Sequence, residues 1–123
     1  MRKVIGVLAI TAVLALSGCA TVTEAGYYWG KYSTTLYEYT KNPSDETVAA
    51  HVEELENIIA ESRERDLRVP PGVHAELGYI KAKQGDGATA MAHYESEIAL
   101  YPESRVFLER VVASSKTEEQ EDD

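Results

Sequence analysis

Apolar residues in the middle of the chain recur at alternating intervals of four and three residues. The clearest series is Val48, Val52, Leu55 and Ile59. This spacing places the side chains on one face of an α-helix. Ser44 precedes the series as a good N-cap, and two acids follow it in the first turn, where the helix dipole favours negative charge. The pattern predicts a helix over residues 45–65.

Three further helical segments follow this helix. The first carries Val73, Leu77 and Ile80 on one face, the second covers residues 88–100, and the third is a short helix over residues 105–112. Prolines and a Gly-Asp-Gly turn separate these segments. No segment alternates between apolar and polar residues as a strand does. With an aromatic helix near the start, the sequence predicts an all-α fold of about five helices.

Five of the eight tyrosines and the only tryptophan lie within residues 27–40. On a helical projection, one arc holds Tyr28, Trp29, Tyr32, Leu36 and Tyr39. Tyr27 and Tyr37 fall outside that arc. Two interpretations stay open: a helix that buries its aromatic face in the core, or an aromatic belt that contacts a membrane interface.

The first residues have the character of a secretory signal peptide. Arg2 and Lys3 precede an uncharged apolar run over residues 4–16, as such peptides require. As a helix this run would span about 20 Å, less than the ~30 Å hydrocarbon core of a bilayer. We therefore expect residues 1–18 to be removed.

Leu16, Ser17, Gly18 and Cys19 follow the apolar run and resemble the bacterial lipobox. The resemblance implies that Cys19 carries a diacylglycerol thioether and, after cleavage, an acylated amino group such as palmitate. Two or three acyl chains anchor a protein far more firmly than one. Ala20 stands where an Asp would resemble an inner-membrane retention signal, so we expect an outer-membrane lipoprotein that faces the periplasm.

Charge and composition divide residues 19–123 into three segments. Residues 19–26 form a polar tether, residues 27–113 a helical repeat-like domain, and residues 114–123 an acidic tail that we expect to be disordered. The net charge is −9, and loss of the two basic residues of the signal peptide takes it to −11. A nucleic-acid partner is not expected, because phosphate binding requires a basic surface.

Residues 71–104 resemble a tetratricopeptide repeat, which also has 34 residues. The matching positions are Leu77, Gly78, Ala90, Tyr94 and Pro102. The departures are His74, Lys81 and Glu97, which stand where the repeat has a tryptophan, a tyrosine and a small residue. The resemblance implies tetratricopeptide-like helical hairpins, closed by a short C-terminal capping helix.

A wider resemblance covers residues 19–113. The lipobox, the Tyr-Tyr-Trp-Gly opening of residues 27–30, the Lys-Asn-Pro-Ser of residues 41–44 and the single late repeat are similar to a family of small, uncharacterised bacterial lipoproteins. Members of that family accompany two other lipoproteins, one of them similar to the curli secretion channel subunit. The family has no established activity, so the resemblance implies no catalytic role for any residue.

Several patterns suggest chemistry, but a simpler explanation is available for each. Residues 85–90 fit G-x-G-x-x-A, but a helix and not a strand precedes them. His51 and Glu54 have a weak metal-ligand spacing without a third ligand. His74 and His93 belong to opposing helices and favour a packed or exposed pair over a site. The sequence predicts no catalytic residue, no metal and no cofactor, and hence no enzyme.

We expect a lipid-anchored adaptor or assembly subunit that binds protein partners, other envelope lipoproteins among them, in a complex related to secretion or envelope assembly. In tetratricopeptide repeats the first helix of a pair lines the groove, which the resemblance places here at Ala75, Tyr79, Ala82 and Lys83. Trp29 and Tyr37 are further candidates, for contacts with sister subunits or lipid. The alternatives are an activator of a cell-wall synthesis enzyme and, least favoured, a small hydrolase. No small-molecule substrate is expected.

Overall fold

The computed structural model describes residues 26–121, apart from the side chains of Ser115 and of residues 117–121. Within this range the chain forms five α-helices, one short 3-10 helix and no strand, which confirms the predicted all-α fold. The helices are α1 Tyr32–Lys41, α2 Asp45–Glu64, α3 Val73–Lys83, α4 Gly87–Leu100 and α5 Arg105–Glu121, with the 3-10 helix at Pro102–Ser104. None of the described helices is long and apolar enough to cross a membrane. The predicted signal peptide, Cys19 and most of the tether lie outside the described residues.

Helix α2 begins where its sequence requires. The Ser44 hydroxyl accepts a hydrogen bond from the backbone N–H of Thr47 at 3.2 Å, and the Thr47 hydroxyl accepts one from the backbone N–H of Ser44 at 3.0 Å. This reciprocal cap satisfies two backbone donors that would otherwise lack a partner. Asp45 and Glu46 occupy the first turn, next to the positive end of the helix dipole. The predicted helix over residues 45–65 is therefore confirmed to within one residue.

The main core lies between α2 and α3. Its buried side chains are Val52, Leu55, Ile58, Val73, Leu77 and Ile80. Leu55, Ile58 and Leu77 have no exposed surface, and full burial of a side chain of this size contributes about 1.5–3 kcal/mol. Tyr28 and Tyr32 pack against the edge of this core, so the aromatic segment at the start of the domain covers one side of it.

Helices α3 and α4 form a tight antiparallel hairpin. A Cβ atom on Gly78 would lie 2.7 Å from the Tyr94 ring and 3.0 Å from the carbonyl oxygen of Ala90. Only glycine therefore allows the two helices to approach this closely. At the open end of the hairpin, the buried Glu97 carboxylate accepts hydrogen bonds from the backbone N–H groups of Gly72 and Ala75, at 2.7 and 3.3 Å. An acid of α4 thus caps the start of α3, which accounts for a carboxylate where a repeat would have a small residue.

A second, smaller core joins α4 to α5. Ala90, Tyr94 and Leu108 are buried in it, and Val111 and Val112 pack against them. Leu108 is the one residue of α5 with a fully buried side chain among those described. Helix α5 is therefore held to the rest of the fold through its first turns.

The start of α1 differs from the predicted segment over residues 27–40, because the helix begins only at Tyr32. Gly30 has a positive φ of +46°, and the backbone N–H of Lys31 donates to the Glu54 carboxylate at 2.7 Å. A side chain at Gly30 would collide with that carboxylate. Tyr28 and Trp29 thus precede the helix, and the single helical arc predicted for the aromatic residues is wrong.

The end of the chain differs as well. Helix α5 continues from Arg105 to Glu121, whereas the sequence analysis expects a short helix over residues 105–112 and a disordered tail from residue 114. The acids, Lys116 and Gln120 are good helix formers, and no glycine or proline follows Pro102. A helix nucleated by the packed first turns of α5 propagates through such residues at little cost. The last helix is therefore not a short cap.

Candidate functional site

A buried network of polar side chains connects the first three helices. The ring of His51 is fully buried. Its Nε2 lies 2.8 Å from Glu76 Oε1, and its Nδ1 lies 2.8 Å from the Thr35 hydroxyl. The other oxygen of Glu76 accepts a hydrogen bond from the Tyr32 hydroxyl at 2.8 Å. One imidazole and one carboxylate thereby bind α1, α2 and α3 together.

The hydrogen bonds define the role of each group in this network. An ionised carboxylate only accepts, so Nε2 of His51 donates its hydrogen to Glu76, and the Thr35 hydroxyl is the hydrogen-bond partner of Nδ1. Burial, together with the hydrogen bond to Glu76, raises the pKa of Tyr32 to about 12. Tyr39 stacks on the His51 ring and Tyr32 lies against it, with ring centroids 5.7 and 5.6 Å away. The imidazole is enclosed by its partners, and this geometry supports a structural role.

A second imidazole pair lies within the α3–α4 hairpin. His74 and His93 face each other with their Nδ1 atoms 3.0 Å apart. Burial, with smaller effects of the neighbouring His93 and Arg63, lowers the pKa of His74 to about 4. Burial and Lys81 lower the pKa of His93. At neutral pH one ring donates and the other accepts, so the two histidines form a packed pair, one of the two arrangements that the sequence left open.

The described residues contain no cluster of three or more side chains suited to a metal ion. His51 and Glu54 do not form a pair of metal ligands. Glu54 accepts a hydrogen bond from the backbone N–H of Lys31, and His51 is hydrogen-bonded to Glu76. The partner of His51 was not identifiable from the sequence, since Glu76 lies 25 residues away on another helix.

An apolar groove lies between α4 and α5. It has a volume of about 170 Å³. Its lining residues are Met91, Tyr94, Glu95, Ile98, Leu108, Glu109 and Val112. The hydrophobic members form the floor, and Glu95 and Glu109 are exposed acids contributed by the two helices. We call this feature the α4–α5 groove.

Exposed hydrophobic side chains occur on the two helices that form the groove. Met91 is 42% exposed, and Val106 and Phe107 at the start of α5 are 60% and 64% exposed. Of these three, Met91 lines the groove, and an exposed apolar side chain beside an apolar hollow is typical of an interaction site. Sequence reasoning missed Met91, Ile98 and Leu108 because their grouping depends on how α5 packs against α4.

The four residues of α3 that the repeat resemblance places in a binding groove differ in their exposure in the structure. Tyr79 is 49% exposed, and the Lys83 ammonium lies over its ring at 5.5 Å. Ala75 and Ala82 are half-buried and pack against the second core. Burial, with a smaller effect of the nearby Tyr79 hydroxyl, raises the pKa of Tyr94. Tyr79 therefore lies near the groove residue Tyr94, whereas the two alanines are part of the packing beneath.

The other two predicted partner-binding residues lie on the N-terminal side of the fold. Trp29 is 41% exposed and Tyr37 is 56% exposed. The ring of Trp29 packs between those of Tyr27 and Tyr32, with centroids 6.4 and 5.3 Å away. Tyr37 instead pairs with Lys41, whose ammonium lies 5.2 Å from the ring centroid. The structure thus places them outside the α4–α5 groove.

The chain matches a protein family described as "Domain of unknown function (DUF4810)" over residues 27–111. The match covers α1 to α4 and the packed start of α5. No curated protein and no solved structure matches the chain.

Proposed function

The chain belongs to this family of unknown function, and we propose that it is a lipid-anchored adaptor whose α4–α5 groove binds an amphipathic helical segment of a partner protein. The observation that carries the proposal is the groove itself, whose apolar lining includes the 42% exposed Met91. Amphipathic helices bind to such grooves through side chains spaced at three and four residues.

The charge of the groove specifies the partner further. Glu95 and Glu109 contribute carboxylates from the two helices that line it, and the whole chain has a net charge of −9. Acidic groups beside an apolar floor favour a segment with basic residues beside its apolar stripe, and they repel acidic competitors. The proposed occupant is therefore a basic amphipathic helix.

The proposed location follows from the lipobox-like sequence that ends at Cys19. Acylation there would hold the folded domain on the outer membrane, with the periplasm as the compartment in which it meets its partners. The resemblance to tetratricopeptide repeats and to lipoproteins that accompany a curli-related channel supports a partner among envelope lipoproteins. In this proposal the protein is one subunit of a secretion or envelope-assembly complex.

Co-purification from membranes tests the proposal. Met91→Glu places a charge on the apolar floor, and the loss of an anchoring contact in an interface weakens binding by about thirtyfold or more. Glu109→Lys reverses a charge beside the floor and should weaken the same interaction. Glu53→Lys is the matched control, since Glu53 is an exposed acid of α2 outside the groove.

The expected result is a specific partner that both groove variants lose and the Glu53→Lys variant retains, with unchanged helical circular dichroism in all three. Equal recovery of the same proteins by every variant would contradict the proposal. The mass of the peptide that contains Cys19 tests the anchor separately, because an unmodified thiol would contradict lipid attachment but not groove binding.

A further inference from the structure

A second surface, away from the groove residues, combines aromatic rings with arginines. We define the aromatic–arginine face as Tyr27, Tyr28, Trp29, Arg65 and Arg68. The Arg65 guanidinium lies over the Tyr28 ring at 4.5 Å. Tyr27 and Trp29 make an edge-to-face contact, and each is 41% exposed. Both arginines are also exposed.

The buried ring of Tyr101 connects Tyr27 to Arg68. Arg68 lies 5.4 Å from the centroid of Tyr101, and the Tyr101 hydroxyl donates to the carbonyl oxygen of Val69 at 2.7 Å. Burial and a hydrogen bond with Tyr27 raise the pKa of Tyr101. Tyr27 is thus fixed beside the loop that carries Arg68, so the aromatic and cationic groups belong to one continuous surface.

The charge of this face contrasts with that of the molecule. The chain has 21 acids and 12 basic residues, yet two exposed arginines, Arg65 and Arg68, lie beside aromatic rings here. Glu61 pairs with Arg65 at 2.8 Å, and Glu54 is held by the backbone of Lys31. An acidic protein therefore presents arginines together with tyrosine and tryptophan at one place.

The position of this face along the chain indicates what it contacts. Tyr27 is eight residues after Cys19, and eight residues extend to less than about 30 Å. If Cys19 carries the proposed acyl chains, the aromatic–arginine face is the part of the described fold with the shortest connection to the bilayer. Tyrosine and tryptophan favour the level of the lipid headgroups, where an apolar ring and a polar edge are both accommodated.

We propose that the aromatic–arginine face rests on the phospholipid surface, with Tyr27 and Trp29 at headgroup level and Arg68 on lipid phosphates. The proposal rests on the lipid anchor of the proposed function, but it does not depend on the α4–α5 groove. Guanidinium groups bind phosphate with two parallel hydrogen bonds, and basic residues near an anionic leaflet are attracted to it. The anchor tethers the domain, and this face orients it.

Trp29 is the only tryptophan, so its fluorescence reports on this face alone. The full protein is purified from the membranes of its own cells and reconstituted into vesicles of phosphatidylethanolamine and phosphatidylglycerol. A parallel set contains the same lipids brominated near the headgroup end of the acyl chains. We expect Trp29 of the vesicle-bound protein to emit at a shorter wavelength than a tryptophan exposed to water. We also expect the brominated lipid to quench this emission and the bilayer to protect Trp29 from quenching by acrylamide.

Arg68→Gln is the test variant, and Arg110→Gln, an exposed arginine of α5, is the matched control. Loss of one basic residue at an anionic surface should shift the ratio of lipid-bound to free orientations about fivefold. The Arg110 variant should retain the quenching of the parent protein. The parent protein should also lose quenching as salt is added, because surface charges are screened.

An acylated protein whose Trp29 stays open to acrylamide and unquenched by brominated lipid would overturn the inference. Protection of Trp29 in native membranes, but not in vesicles of lipid alone, would also overturn it and would assign the face to a protein. Quenching that persists in the Met91→Glu variant after partner binding is lost would show that the two surfaces act separately. An unmodified Cys19 would remove the anchor and, with it, the reason for this orientation.

Discussion

At the scale of single residues, the stability of the first three helices depends on polar side chains grouped around the fully buried ring of His51. Glu76 satisfies His51 from one oxygen and Tyr32 from the other. The sequence places His51 beside the apolar stripe of α2, where a nearby acid such as Glu54 is the obvious partner. The actual partner depends on how α3 packs across α2, and residue spacing within one helix contains no information on that packing.

Replacement of Glu76 by alanine should destabilise the fold by about 3 kcal/mol, because it leaves a buried imidazole and a partly buried phenol without their acceptor. Urea unfolding followed by circular dichroism measures the change in the free energy of unfolding. Glu53→Ala, on the exposed face of α2, should change it by less than about 0.5 kcal/mol. Similar values for the two variants would show that the network contributes little.

The imidazole pair gives the fold a dependence on pH. Because the pKa of His74 falls from 6.5 in the unfolded chain to about 4 in the folded protein, the folded protein binds fewer protons than the unfolded chain between these values. The free energy of unfolding should therefore fall as the pH drops from about 6.5 towards 4. In a His74→Gln variant this decrease should be smaller. Parallel curves for the two proteins would contradict the assignment.

At the scale of elements, the helices that the sequence predicts best are those whose ends have chemical signals. Ser44 and Thr47 fix the start of α2. The turn between α3 and α4 covers residues 84–86, one residue earlier than the predicted Gly-Asp-Gly turn of residues 85–87. The start of α1 is predicted wrongly because the Lys31 backbone binds Glu54, a contact 23 residues away. The end of α5 is predicted wrongly because a charged segment is compatible both with disorder and with an exposed helix.

The α3–α4 hairpin offers a test of close packing. Gly78→Ala gains about 1 kcal/mol of helix propensity, but its methyl group would overlap Tyr94 and approach the Ala90 carbonyl. Overpacking of this kind costs about 1–3 kcal/mol, so the net effect should be a loss of stability. Gly87→Ala, at the open start of α4, should be neutral or stabilising, since nothing lies within 4 Å of its Cβ. A lower melting temperature for the Gly87 variant than for the Gly78 variant would be inconsistent with this packing.

At the scale of the whole molecule, two surfaces of different chemistry account for the proposed function. The aromatic–arginine face includes residues close in sequence to Cys19, and the α4–α5 groove is built from the last two helices. The sequence alone indicates the aromatic segment and the acidic character of the chain. It does not reveal the groove, because Met91 and Ile98 meet Leu108 only after α5 packs against α4. The Val106-Phe107 pair is visible in the sequence, but its 60% and 64% exposure is not.

Site-specific photocrosslinking in the cells that make the protein tests whether the α4–α5 groove binds a helical partner. A photoreactive amino acid replaces Met91 in the groove or, as the control, Glu53 on the outer face of α2. We predict a discrete crosslinked product from position 91, in which mass spectrometry identifies a basic amphipathic segment of one partner, and no such product from position 53. The absence of any product from position 91, or the same products from both positions, would contradict the account.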